Sequence, residues 1–294
     1  MEQEMEQLRK DALKKQRIMI FLPFISFFTV ALLTQLTPIL FVLFVPIAYV
    51  IYKVVTSFSK ANKKYQDLYK KTVVIETFKK IFQDVNFNLD QGISYQKISE
   101  TKMMDMGDSF SSNDYVCGKY KDIPFESSDV EITETRTDSD GDSYTVTLFR
   151  GQWYIFDFNK SFKADLQVCE KGFSNSRRGG LFSKTPFKKV ELEDMEFNKL
   201  FKVYAQNELD AFYVLTPNTM ENIKKLLSKI NGKLLLCFIN ERLHIGVESN
   251  KDFYEASLRK KVDIPSSIEK TKNEISVITD FIDILRLDND LFKK

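Results

Sequence analysis

Histidine is nearly absent from this chain, with His244 alone among 294 residues. Cysteine is sparse too: Cys117, Cys169 and Cys237 are odd in number, far apart and form no CxxC pair. That usage suits a reducing compartment rather than a disulfide scaffold, and it leaves no familiar zinc spacing. No metal and no cofactor is expected. With 10 glycines and 7 prolines, most of the chain should be folded. A large net charge is also missing, since 43 Lys and Arg face 41 Asp and Glu. Residues 1–71 carry +6, which leaves −4 for the remainder. The remainder therefore lacks the basic excess of a nucleic-acid binder, and no nucleic-acid partner is expected.

Charge is missing altogether between Arg17 and Lys53. Residues 18–52 hold no Asp, Glu, Lys, Arg or His and are mostly Phe, Leu, Ile and Val. A run of that length reads as membrane-spanning. One helix through it would be roughly 52 Å long against a hydrocarbon core of about 30 Å. The polar interruption Thr34-Gln35-Leu36-Thr37-Pro38 offers a turn, with Pro38 suited to a helix start. Two short spans are expected, about Ile18–Leu33 and Pro38–Tyr52, with a re-entrant hairpin as the alternative. Basic residues flank both outer ends and none lies in the loop, which places both termini in the cytoplasm. Lys14, Lys15, Arg17, Lys53, Lys60, Lys63 and Lys64 are then the candidate membrane-surface residues, in contact with the lipid bilayer and its anionic headgroups. An acidic start and a second span argue against a cleaved signal peptide.

Met1–Arg17 reads as a cytoplasmic N-terminal helix, 18–52 as a transmembrane helical hairpin and 53–85 as a juxtamembrane helix. If both helices continue straight, Glu2 and Glu6 lie near Lys70 and Lys71 in a stalk. Residues 86–294 read as an α+β domain of antiparallel strands and helices, with two subdomains divided near 171–189. Glu131–Arg136 and Tyr144–Phe149 flank a turn-rich Asp138–Ser143, which predicts a hairpin. Gln152–Phe158 and Ala164–Val168 continue as strands. Glu193–Leu200 predicts a short helix and Phe201–Ala205 a strand. Thr216 and Pro217 predict the N-cap and first position of a helix ended by Asn231-Gly232. Leu234–Ile239 and Leu243–Val247 predict a hairpin about Asn240-Glu241. Ser266-Ser-Ile-Glu269 resembles a capping box opening a last helix.

Three motifs invite chemistry and a plainer reading outweighs each. Asp138, Asp140 and Asp142 resemble the start of a calcium loop, but glycine is fourth rather than sixth and Phe149 stands where a Glu is needed; a solvated turn fits better. Cys237 and His244 could face each other across a hairpin as nucleophile and base, yet nothing orients or activates them. Arg177-Arg178-Gly179-Gly180 could hold a phosphate or headgroup, but no strand–glycine–helix fingerprint surrounds it. No catalytic residue is assigned.

Phe149-Arg-Gly-Gln-Trp-Tyr-Ile-Phe-Asp-Phe-Asn-Lys-Ser-Phe162, Val190–Tyr204 and Ala211-Phe-Tyr-Val-Leu-Thr-Pro217 resemble an uncharacterised bacterial membrane-protein family classified as a domain of unknown function. The likeness covers about Lys70 to Val247. It implies a short membrane hairpin, a cytoplasmic domain at the bacterial inner membrane and genes beside those of LemA-type proteins; it carries no catalytic residues. The expectation is a membrane-anchored interaction or scaffold module, with a LemA-like membrane protein as partner and a homo-oligomer as a further state. The alternative is a membrane-surface enzyme acting on a lipid or lipid-linked substrate through Glu191, Glu193 and Asp194.

Overall fold

The computed structural model describes residues 1–34, 44–157, 165–173, 187–285 and 287. They divide into two compact units, Met1–Thr77 with Tyr254–Lys272, and Phe78–Phe253 with Asn273–Lys294.

The first unit is built on α1 (Glu2–Thr34) and α2 (Phe44–Tyr69), followed by a π-helical turn at Lys70–Val74 and the start of α3 (Ile75–Ile81). Met5, Arg9 and Ala12 share one stripe of α1, and Ala61, Tyr65 and Tyr69 recur every fourth residue of α2; all are buried, as helical periodicity requires of a packed face. The returning segment is held by side chains rather than by a strand partner. Gln66 donates to the Ala256 carbonyl at 3.0 Å and accepts the Ala256 N–H at 2.8 Å. Glu6 receives both Arg9 Nε and Nη2, at 2.8 and 2.7 Å, and the Val262 N–H at 3.1 Å. Arg9 Nη1 donates to the Leu258 carbonyl at 2.6 Å. The stalk pairing does not form: Glu6 is committed to Arg9, and Lys70 pairs with Glu255 at 2.5 Å.

The second unit is an α+β fold on one nine-stranded sheet, every neighbouring pair antiparallel. Its strands are β1 (Gln83–Asn88), β2 (Ser109–Tyr120), β3 (Ile123–Thr137), β4 (Ser143–Asp157), β5 (Leu166–Glu170), β6 (Lys188–Val190), β7 (Phe201–Ala205), β8 (Lys233–Ile239) and β9 (Arg242–Glu248). Their order is β1-β2-β3-β4-β9-β8-β5-β7-β6. The helices are α4 (Tyr95–Ser99), α5 (Met195–Leu200), α6 (Glu208–Val214), α7 (Pro217–Lys229) and the second half of α8 (Ile264–Leu285). Side chains alternate between faces along each strand. On one face Trp153, Ile155, Leu235 and Cys237 pack with Ile93, Ile98, Met103 and Met104 from around α4. On the other, Phe281 of α8 meets Tyr154 and Phe156 edge-on at 5.2 and 6.0 Å, and Phe82 lies 4.8 Å from Phe125.

The transmembrane hairpin is not found. Among the described residues no helix is long and apolar enough to cross a membrane. Uncharged residues span 18–34 in α1, about 26 Å at helical rise and short of a core of about 30 Å, and only 44–52 in α2 before Lys53. The expected turn after Thr34 lies outside the described residues. The multi-pass inner-membrane topology with both termini cytoplasmic loses its basis, and so do the bilayer, its headgroups and a LemA-like membrane protein as partners. The anchored scaffold and the membrane-surface enzyme fall with them. What stands is an α+β domain that exposes Leu209, Phe212 and Tyr213 on α6, apolar surface of the kind that binds protein.

Candidate cleft at His244

Strand register sets one row of side chains across the sheet. Cys117 of β2 lies opposite Glu126 of β3, Glu126 opposite Ile155 of β4, Ile155 opposite His244 of β9, and His244 opposite Cys237 of β8. All five point to the face that α4 covers, by the alternation of strand side chains. The row passes from half-buried Cys117 to fully buried Cys237. His244 stands where the cover ends, at 4 % exposure.

A cleft of about 380 Å³ opens there, lined by Lys97, Glu100, Asp157, Asn240, Glu241, Arg242 and His244. A second, of about 290 Å³, includes Tyr115, Cys117 and Glu126 and shares Asp157 with the first. Lys97 lines one and Glu126 the other; their ion pair at 2.6 Å joins the two. Arg242 Nε donates to Asp157 at 3.0 Å. Burial against the Glu126 side of the second cleft pushes the Tyr115 hydroxyl well above its ordinary value.

His244 is positioned by the chain's single tryptophan. Trp153 Nε1 donates to His244 Nδ1 at 3.3 Å. An indole N–H can only donate, so Nδ1 is the acceptor and the proton of the neutral ring sits on Nε2. Gly246 makes this possible: it pairs with Trp153 across β4 and β9, and a Cβ there would meet the indole Cζ3 at 2.7 Å. Burial, with Arg242 and Lys97 adding repulsion, pushes the His244 pKa down to about 3. Protonation would also set two N–H donors against each other at Nδ1. The ring is therefore an uncharged donor, and among the described residues Trp153 is its one hydrogen-bond partner. It can polarise or orient an oxygen brought to Nε2; it cannot serve as a base there without a change of tautomer.

The residues singled out from sequence fall elsewhere. Register does pair Cys237 with His244, but Cys237 Sγ contacts the Thr101 carbonyl at 3.8 Å and His244 Nδ1 is occupied by Trp153. Asp194 caps α5 through the Glu196 and Phe197 N–H groups and pairs with Lys224 at 3.3 Å, so it is held below the usual carboxylate range chiefly by the Phe197 N–H. Glu191 is paired with Lys189, and these acids gather in no common site. Asp138 accepts the N–H groups of Asp140 and Asp142, as a turn-forming Asp does. Lys14, Arg17, Lys53, Lys60, Lys63 and Lys64 are exposed along α1 and α2, and Lys15 bonds Asp11 at 2.7 Å. Arg177–Gly180 lies outside the described residues. Sequence reasoning missed Lys97, Glu100, Asp157 and Arg242. The one available signal was Gly246 two residues after His244 in a strand, a mark of close approach by another group.

A crystal structure of the mycobacterial trehalose monomycolate transport factor A, TtfA, is similar at 7 % identity and a TM-score of 0.42, over 76 % of this chain and 94 % of that one. Likeness at that level carries no argument. No curated protein matches the chain. Residues 147–287, which include most of β4, all of β9 and hence Trp153 and His244, match the family described as Protein of unknown function (DUF3137); among the described residues no helix of the kind expected for an accompanying membrane hairpin is long and apolar enough to cross a membrane.

Proposed function

We propose that this chain is a binding module and that the His244 cleft holds its ligand. The observation that carries the reading is a neutral imidazole at 4 % residue exposure that lines a cleft, with Nδ1 held by Trp153 and Nε2–H without an acceptor among the described residues. Binding is favoured over catalysis because the ring is neutral and donating.

Trp153 emission and the resonances of the one histidine both report on the site. They would be followed in titrations with ammonium, carboxylate, phosphate and polyol probes. A saturable change with at least one class, lost in His244→Gln at unchanged melting temperature, is the expected result. Silence of both signals toward every class would overturn the reading.

A further inference from the structure

We infer that α1, α2 and the start of α8 form a groove for an extended peptide backbone, which residues 255–262 occupy in cis and vacate to admit a segment of a partner protein. Four successive main-chain carbonyls of this strap are each taken by a different side chain. Lys270 donates to the Glu255 carbonyl at 2.7 Å, Gln66 to that of Ala256 at 3.0 Å, the Tyr65 hydroxyl to that of Ser257 at 3.4 Å and Arg9 to that of Leu258 at 2.6 Å. Two main-chain N–H groups are met as well. Gln66 accepts that of Ala256 at 2.8 Å and Glu6 that of Val262 at 3.1 Å. Gln66 thus reads both polar groups of one residue, as a neighbouring strand would. The helix side chains are held ready for this: Arg9, Tyr65 and Gln66 are buried on α1 and α2, and Glu6 orients the Arg9 guanidinium.

The strap's own side chains contribute less. None of residues 255–261 is buried, and Ser257, Arg259, Lys260 and Lys261 are exposed. Val262 goes under as an apolar anchor, and Glu255 pairs with Lys70 at 2.5 Å. Main-chain hydrogen bonds with an apolar anchor are how a surface takes an extended peptide without dictating most of its sequence. The same contacts make the strap the weakly held part of its unit. It buries little apolar surface, and segments of that kind open at lower free energy than the helices they cross. Tyr254, which leads into it, has φ of +60°, a conformation costly for an aromatic residue, and that cost favours release. An occupant in cis lowers the affinity for one in trans by the fraction of molecules that are open, so the strap acts as a built-in competitor.

The test uses the full chain and a fluorescent, end-capped peptide of residues 254–263, followed by anisotropy. The unaltered chain should bind it weakly. Ala256→Pro with Val262→Ser removes from the strap its anchor and the N–H that Gln66 accepts, and leaves the groove as it is. That variant should bind the peptide at least tenfold more tightly. Adding Gln66→Leu to it, or carrying Val262→Ser into the peptide, should reverse the gain. Hydrogen exchange on the unaltered chain is the second measurement: the Ala256 and Val262 amides should exchange together, and faster than those of Tyr65–Tyr69. Exchange of all of them at one rate would overturn the proposal, because the strap would then leave only on unfolding of the helices. Absence of saturable binding to the opened variant, with its helical dichroism retained, would overturn it too. A dimer of that variant that takes up no peptide would assign the groove to a second copy and overturn the partner protein.

Discussion

The pKa of His244 makes the stability of the molecule depend on pH between about 6.5 and 3. Its folded value, about 3, lies below the unfolded value near 6.5, so the unfolded chain takes up the proton first. Stability is full above pH 6.5 and falls as pH drops from there toward 3. By pH 5 the loss should be about 2 kcal/mol, and chemical denaturation at pH 7 and pH 5 measures it. His244→Gln should flatten that interval. Gly246→Ala tests the same site from the other strand. The new methyl would displace Trp153, lowering stability by about 1–3 kcal/mol and raising the His244 pKa as the indole withdraws from Nδ1. An unchanged histidine titration in that variant would mean that Trp153 does not hold the ring. None of this was visible in sequence, because Trp153 and His244 are 91 residues apart and only strand pairing brings them together.

Elements with purely local determinants were legible. Thr216 caps α7 by accepting the Thr219 N–H at 3.2 Å with Pro217 in the first turn, as those two residues dictate. Thr216→Ala should cost about 1 kcal/mol, seen as a lower melting temperature. The β3–β4 hairpin followed from alternation about Asp138–Ser143, and β8–β9 from Asn240-Glu241. The last helix begins at Ile264, ahead of the expected box, with Asp263 Oδ1 accepting the Ser266 N–H at 3.3 Å. Helix α6 carried no apolar period that would bury it, and its exposed Leu209 and Tyr213 explain why. The segment 254–262 was opaque for another reason: it forms no regular element and is held by side chains of α1 and α2. Arg9 holds the Glu6 carboxyl down to about 2, so this clamp contributes above the unfolded pKa near 4.5 and is lost as pH falls toward 2. Glu6→Gln should speed amide hydrogen exchange over Leu258–Val262 and cost about 2 kcal/mol locally.

Across the whole molecule, hydropathy was the misleading signal. The uncharged run at 18–52 was long enough to suggest a hairpin through lipid, yet among the described residues no helix is long and apolar enough to cross a membrane. The chain instead forms two units of different construction, one of paired helices with a clamped return segment, the other on a nine-stranded sheet. Trp153 lies in the second, so its emission reports that unit alone, whereas far-ultraviolet dichroism is weighted toward the long helices of the first. Thermal transitions followed by the two should not coincide, and superimposable curves would show a single cooperative body.

The strand order has a consequence for how the protein is made. β4 receives β3 early, but its other neighbour is β9, and Asp157 and Arg242 at the joined ends stand 85 residues apart in the chain. At 5–20 residues per second a ribosome takes about 4–17 s to cover that distance. For that interval Trp153, Tyr154, Ile155 and Phe156 sit on a strand with one side unpaired, the kind of edge that captures other nascent chains. Synthesis, rather than the finished fold, is therefore where this sheet is most exposed to aggregation and most dependent on a chaperone.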